Sequence, residues 1–146
     1  MVRQSFVFAA AVTFGLSAAN AAFAEDTVKI GFILPMTGQQ QSTGKQEAAG
    51  IKLYMAQHGD TVAGKKIELI IRDDGAVPDN TKRIAQELIV NDKVNFVAGF
   101  GVTPAALSVA PLATESKTPE IVTAAGTSII TEKSPYIART SFTLGG

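Results

Sequence analysis

The chain has 146 residues, with 13 basic and 13 acidic side chains, one histidine, and no cysteine or tryptophan. That length predicts one ordinary domain, and zero net charge with 18% charged residues gives no basic surface for nucleic acid or anionic lipid. The lack of cysteine excludes disulfide scaffolds, thiolate metal sites, iron–sulfur clusters and thiol nucleophiles, while 46% hydrophobic residues are enough for a folded core.

Arg3 precedes an apolar, alanine-rich run from Ser5 to Ala19, which ends in Ala22-Phe23-Ala24 before Glu25-Asp26. This pattern predicts a secretory signal peptide over residues 1–24, cleaved after Ala24. The run is shorter than the roughly 20 apolar residues that span a bilayer. No cysteine follows the cleavage site for lipid attachment, so the product is expected to be periplasmic and not lipidated.

Residues 25–146 alternate strand and helix. Val28 to Pro35 reads as a first strand, closed by the proline before Met36-Thr37-Gly38. From Lys45 to His58, the spacing of Ile51, Tyr54, Met55 and His58 predicts one buried helical face, ended by Gly59. Lys66 to Asp73 is a second strand, and Asp79 is expected to cap a helix whose Ile84, Ala85, Leu88 and Ile89 form a buried stripe. Val94 to Gly99 is a third strand, Pro104 to Glu115 a helix kinked at Pro111, Glu120 to Thr123 a fourth strand and Tyr136 to Thr140 a fifth. Alternating units with short connections predict the α/β class, a doubly wound parallel sheet with helices on both faces.

In such a sheet ligands bind beyond the carboxyl ends of the strands. The loop from Pro35 to Gly44 is polar and lacks the lysine of a phosphate-binding loop. After the third strand, Gly99-Phe100-Gly101-Val102-Thr103-Pro104 opens a helix; Thr103 can cap it, and its free N–H groups can face an anion. The missing third glycine argues against a dinucleotide fingerprint. After the fourth strand, Ala124-Ala125-Gly126-Thr127-Ser128 combines small side chains with hydroxyls, fitting a tight turn or close approach of a ligand. Together the two strand ends present small residues followed by a threonine, without charge, as a small carboxylate would require. Asp73-Asp74 reads as turn structure, since no nucleophile or metal-binding histidine neighbours it, and His58 reads as a partly buried residue near a helix end. No cofactor or metal site is predicted.

Taken as a set, Pro35-Met36-Thr37-Gly38 with Gly44 and Glu47, the pair Asp73-Asp74 with Pro78 four residues beyond it, Gly99 to Thr103, and Ala124 to Thr127 resemble the leucine/isoleucine/valine-type periplasmic substrate-binding proteins of ABC transporters. The likeness runs from Val28 to about Thr143. It implies a periplasmic-binding-protein-like type I fold of two hinged lobes, of which residues 25–146 form the N-terminal one, ending near the hinge and incomplete without the second. It also implies that Thr103 binds a ligand carboxylate, helped by backbone groups at Gly101 and Val102. Ala125 and Thr127 would contact the carboxylate and amino group, Gly126 between them belongs to the same ligand-binding set, and Thr43 would line the cleft. Branched-chain amino acid binders often carry an aromatic residue at the position of Thr43 and a serine at that of Thr103, so the ligand can differ here; Phe100 is a candidate pocket wall, with a core-facing position beside a buried strand the equal alternative. The expected function is the solute-binding component of an ABC uptake system for branched-chain or related amino acids or small carboxylates, with membrane permease subunits as partners. A sensing domain of a receptor would look the same in this lobe. An exported α/β enzyme is disfavoured by the absence of cysteine and of a Gly-x-Ser-x-Gly elbow.

Overall fold

The computed structural model describes residues 27–144. The expected signal peptide, residues 1–24, lies outside them. In chain order the elements are β1 (Thr27–Leu34), α1 (Gln41–His58), β2 (Thr61–Val62), β3 (Lys65–Asp73), α2 (Pro78–Val90), β4 (Phe96–Gly99), α3 (Thr103–Ser116), β5 (Glu120–Val122), a short 3-10 helix (Ser128–Glu132) and β6 (Ile137–Arg139).

The strands form one sheet in the order β2-β3-β1-β4-β5-β6. All neighbours are parallel except β2, which pairs antiparallel with β3 through Thr61↔Lys66 and Val62↔Lys65. This edge hairpin was not expected, because its two-residue turn is Ala63-Gly64 instead of Asn-Gly. Both residues nevertheless take the positive φ that such turns need (51° and 77°).

Side chains alternate across β1. Ile33 joins Ile84, Ala85 and Leu88 of α2, Val97 of β4, and Ala106 and Val109 of α3 in the main core. Ile30 and Phe32 face the opposite side, towards α1. Helices therefore cover both faces, as a doubly wound sheet requires. Fully buried Ile33, Leu88 and Val97 each contribute about 1.5–3 kcal/mol through burial. The predicted α2 stripe is present, with Ile84, Ala85 and Leu88 buried and Ile89 partly so.

Three local expectations change. Helix α1 starts at Gln41 rather than Lys45, and its buried residues are Gly44 and Ala48, with Ile51 and Met55 half-buried. The small residues of its first turns set which face packs, so Tyr54 and His58 are exposed, their rings stacked with centroids 4.2 Å apart. They flank an apolar trough of about 470 Å³ between α1, β1 and β3, lined in part by Ile30, Phe32, Met55 and Leu69. Second, Asp79 does not cap α2. Val77 is the N-cap and Pro78 takes the first position, leaving Asp79 in the first turn where its charge complements the helix dipole. Third, Thr103 does not cap α3; Val102 does, its carbonyl accepting from the N–H groups of Ala105 (3.1 Å) and Ala106 (3.3 Å). The helix then runs continuously past the exposed Pro111.

Candidate functional site

The chain passes from β1 through α1 to β3 on one side of β1, then through α2 to β4 on the other. This reversal opens a crevice at the carboxyl ends of β1 and β4, the position where doubly wound sheets hold ligands. Pro35, fully buried, follows β1 at this end. A Cβ on Gly101 would stand 2.5 Å from Pro35 Cγ, and one on Gly44 would collide with the Pro35 backbone, so only glycine lets both segments close on the proline.

The β4 tip is bent into an unusual shape. Gly99 has φ +115°, and Phe100 has φ 71°, a left-handed value that costs a non-glycine residue roughly 1–3 kcal/mol. Hydrogen bonds hold the bend. The Phe100 N–H donates to the Ile33 carbonyl (3.0 Å), the Thr123 N–H to the Gly99 carbonyl (2.9 Å), and the Ala125 N–H to the Phe100 carbonyl (3.0 Å). Beyond it, the N–H groups of Gly101, Val102 and Thr103 donate to no acceptor among the described residues. They lie at the positive end of α3.

Because Thr103 does not cap, its hydroxyl is available elsewhere: Thr103 Oγ1 and Thr127 Oγ1 are 2.7 Å apart in one hydrogen bond. The structure thus brings together the two threonines that the sequence placed on separate strand ends. Both are half-buried. Arg139 of β6, which the sequence did not single out, donates from Nη1 to the Thr127 carbonyl (2.8 Å) and from Nη2 to Thr143 Oγ1 (2.8 Å). Its guanidinium adds positive potential beside the pair.

The remaining predicted site residues divide. Gly101 and Val102 are half-exposed and adjoin the pair. Phe100 is not a pocket wall, having no exposed surface and lying in the core with Ile33 and Val97. Ala125 also packs into the core and its N–H is committed to Phe100, so its side chain and N–H are unavailable to a ligand. Gly126 is buried beneath the returning chain: its carbonyl accepts from the Leu144 N–H (2.8 Å), and a Cβ there would stand 2.7 Å from Leu144 Cγ. Thr43 is half-buried on the first turn of α1, with no hydrogen bond to either threonine.

Three carboxylates border this end of the sheet, and each is engaged. Asp73 Oδ1 accepts from the N–H groups of Met36 (2.8 Å), Thr37 (3.3 Å) and Gly75 (2.9 Å), and its Oδ2 accepts from the Thr37 hydroxyl (2.7 Å). Slight burial opposes its charge, but these donors outweigh that and hold its carboxyl below the usual range. Asp74 is buried and accepts from Thr81 Oγ1 (2.6 Å) and the Ala76 N–H (2.9 Å). The aspartate pair fastens the β1 and β3 tips and the approach to α2. Glu47, one turn along α1 from Thr43, places Oε2 2.5 Å from Thr123 Oγ1, which also lies 3.0 Å from the Gly99 carbonyl. Burial is the largest influence on it and raises its pKa. Its Oε1 is buried without a partner. Among the described residues, no group of three histidine or acidic side chains could hold a metal ion.

Comparison with known proteins places this geometry. The chain is 75% identical to a solute-binding protein of an ABC transporter from Rhodopseudomonas palustris BisB5, solved in complex with 3,4-dihydroxybenzoic acid; the match has a TM-score of 0.80 and covers 82% of this chain and 33% of that one. It is 48% identical to an R. palustris solute-binding protein in complex with 4-hydroxybenzoate (TM-score 0.77, covering 81% and 32%). A relative from Brucella abortus strain 2308, Leu/Ile/Val-binding protein homolog 6, is 46% identical over 127 residues, covering 86% of this chain and 32% of its own length. The chain therefore spans about a third of the length of these relatives. Residues 27–145 match the family model described as periplasmic binding protein, and with its type I lobe architecture the chain belongs to that family.

Proposed function

We propose that this chain is the N-terminal ligand-binding lobe of a periplasmic solute-binding protein serving an ABC uptake transporter, and that its ligand is a small aromatic carboxylate of the hydroxybenzoate class. The observation that carries the reading is the uncharged Thr103–Thr127 hydroxyl pair beside the unpaired N–H groups of Gly101, Val102 and Thr103. Dipoles at a helix N-terminus favour an anion. The two hydroxyls carry two protons and spend one on each other, leaving one to donate to a carboxylate oxygen.

Two further observations support an aromatic acid over an α-amino acid. An amino acid brings an ammonium group that needs a counter-charge, yet Glu47, Asp73 and Asp74 are all bonded within the protein. Both solved relatives named above hold hydroxylated benzoates. The Brucella relative's name favours a second reading, a branched-chain amino acid, with the counter-charge supplied from outside residues 27–144. Delivery to membrane permease subunits, and a periplasmic location reached through the signal peptide, belong to the same proposal.

The test is titration calorimetry on a chimera carrying residues 27–144 in place of the matching segment of the BisB5 protein, with 4-hydroxybenzoate, 3,4-dihydroxybenzoate and leucine as separate titrants. Binding of the benzoates but not of leucine is expected. Binding of leucine alone would replace the aromatic reading with the amino acid one.

A further inference from the structure

We infer that Glu47, in its neutral form, is the positioning residue of the ligand site, donating its carboxyl proton to Thr123 so that Thr123 can bind the Gly99 carbonyl and fix the strained β4 bend. This rests on the reading of the β4 and β5 tips as the ligand site.

Thr123 Oγ1 has a single hydrogen and two close neighbours, the Gly99 carbonyl oxygen at 3.0 Å and Glu47 Oε2 at 2.5 Å. A carbonyl oxygen can only accept. An ionised carboxylate can only accept as well, so with Glu47 charged one contact would bring two acceptors together without a proton between them. With Glu47 protonated, both contacts are ordinary hydrogen bonds in sequence: Glu47 Oε2–H to Thr123 Oγ1, and Thr123 Oγ1–H to the Gly99 carbonyl. The surroundings agree. Glu47 Oε1 is buried without a donor, and no ion pair to Glu47 occurs among the described residues. On α1, Lys45 is exposed and bonded to Gln41 Oε1 (2.8 Å), and Lys52 and His58 are exposed. The four residues of β4 carry no ionisable side chain, and the only one on β5, Glu120, lies on the opposite face from Thr123 by strand alternation.

What the relay holds is the site itself. Gly99 takes its positive φ freely, but Phe100 keeps its own only under external restraint. The Gly99 carbonyl receives both the backbone N–H and the hydroxyl of Thr123, so it anchors the bend that presents Gly101, Val102 and Thr103. Thr123 also begins the loop that carries Thr127, and Glu47 shares a helix face with Thr43 one turn earlier. Three segments bearing predicted site residues thus meet at one carboxyl group.

The experiment uses the same chimera with wild-type Glu47, Glu47→Gln and Glu47→Ala, titrated with 4-hydroxybenzoate between about pH 5 and about pH 9. Glu47→Gln keeps a donor for Thr123 and is expected to bind as the wild type does at the acid end and to hold that affinity as pH rises. The wild type should weaken as Glu47 ionises. Glu47→Ala should bind about tenfold more weakly at every pH. Infrared difference spectra of wild type against Glu47→Gln, without ligand, should show the carbonyl band of a protonated carboxyl at neutral pH. A carboxylate band instead, or a Glu47→Ala variant with full affinity, would overturn the inference. If 4-hydroxybenzoate binds no variant, the ligand proposal fails, while the infrared band and faster amide exchange at Phe100, Thr123 and Ala125 in Glu47→Ala still decide the role of Glu47.

Discussion

The hydroxyl pair at Thr103 and Thr127 is a small proton reservoir, with one proton shared inside the pair and one open to a guest. A hydrogen bond to a charged group is worth about 1.5–3 kcal/mol. Thr103→Val or Thr127→Val, made in the two-lobed chimera, should therefore weaken benzoate capture by about 10- to 150-fold, read by calorimetry. Because each valine also orphans its neighbour, the double variant should cost less than the product of the singles. Full affinity in the double variant would remove these side chains from the site. That Thr103 and Thr127 sit at strand ends on the same side of the sheet was legible from strand order and residue type. Phe100 and Ala125 could not be sorted from them: whether a side chain at a loop faces a ligand or the core depends on backbone turns such as the positive φ at Phe100, which composition does not reveal.

At the level of elements, helix and strand order followed from hydrophobic spacing wherever an element buries a broad apolar face, as α2 does with Ile84, Ala85 and Leu88. Spacing failed for α1, where contact is made by Gly44 and Ala48, residues whose small size rather than apolarity brings the helix onto Pro35. It also passed over β2, two exposed residues held by a turn. Strand β5 carries a cost of its own. Glu120 is fully buried, neither carboxylate oxygen has a partner, and burial pushes its pKa from the ordinary 4.5 to about 8. The fold favours the protonated form, so nothing is lost below pH 4.5, and stability declines as pH climbs from 4.5 to about 8. Glu120→Gln should remove that decline and stabilise the chain near neutral pH by on the order of 2 kcal/mol, with no gain at the acid end. Urea unfolding across this range checks it, and equal slopes in both proteins would contradict it.

Considered as a whole molecule, the chain on the proposed reading supplies one wall of a cleft. Micromolar capture needs about 8 kcal/mol, whereas one or two charge-assisted hydrogen bonds at about 1.5–3 kcal/mol each and a helix terminus at about 0.3–1 kcal/mol fall short once ordering is subtracted. Residues 27–144 by themselves should bind 4-hydroxybenzoate weakly or not at all, and micromolar affinity in calorimetry would refute this. The lobe's class was legible because strand and helix alternate strictly. The trough beside α1 bears on any such measurement. Ringed by Ile30, Phe32, Met55 and the stacked Tyr54, it is a greasy decoy into which a benzene ring can partition without its carboxylate being recognised. A faint background signal from the isolated lobe that persists in the double valine variant would come from that decoy or from the N–H groups of Gly101, Val102 and Thr103, and only the part abolished by the variant reports on the threonine pair.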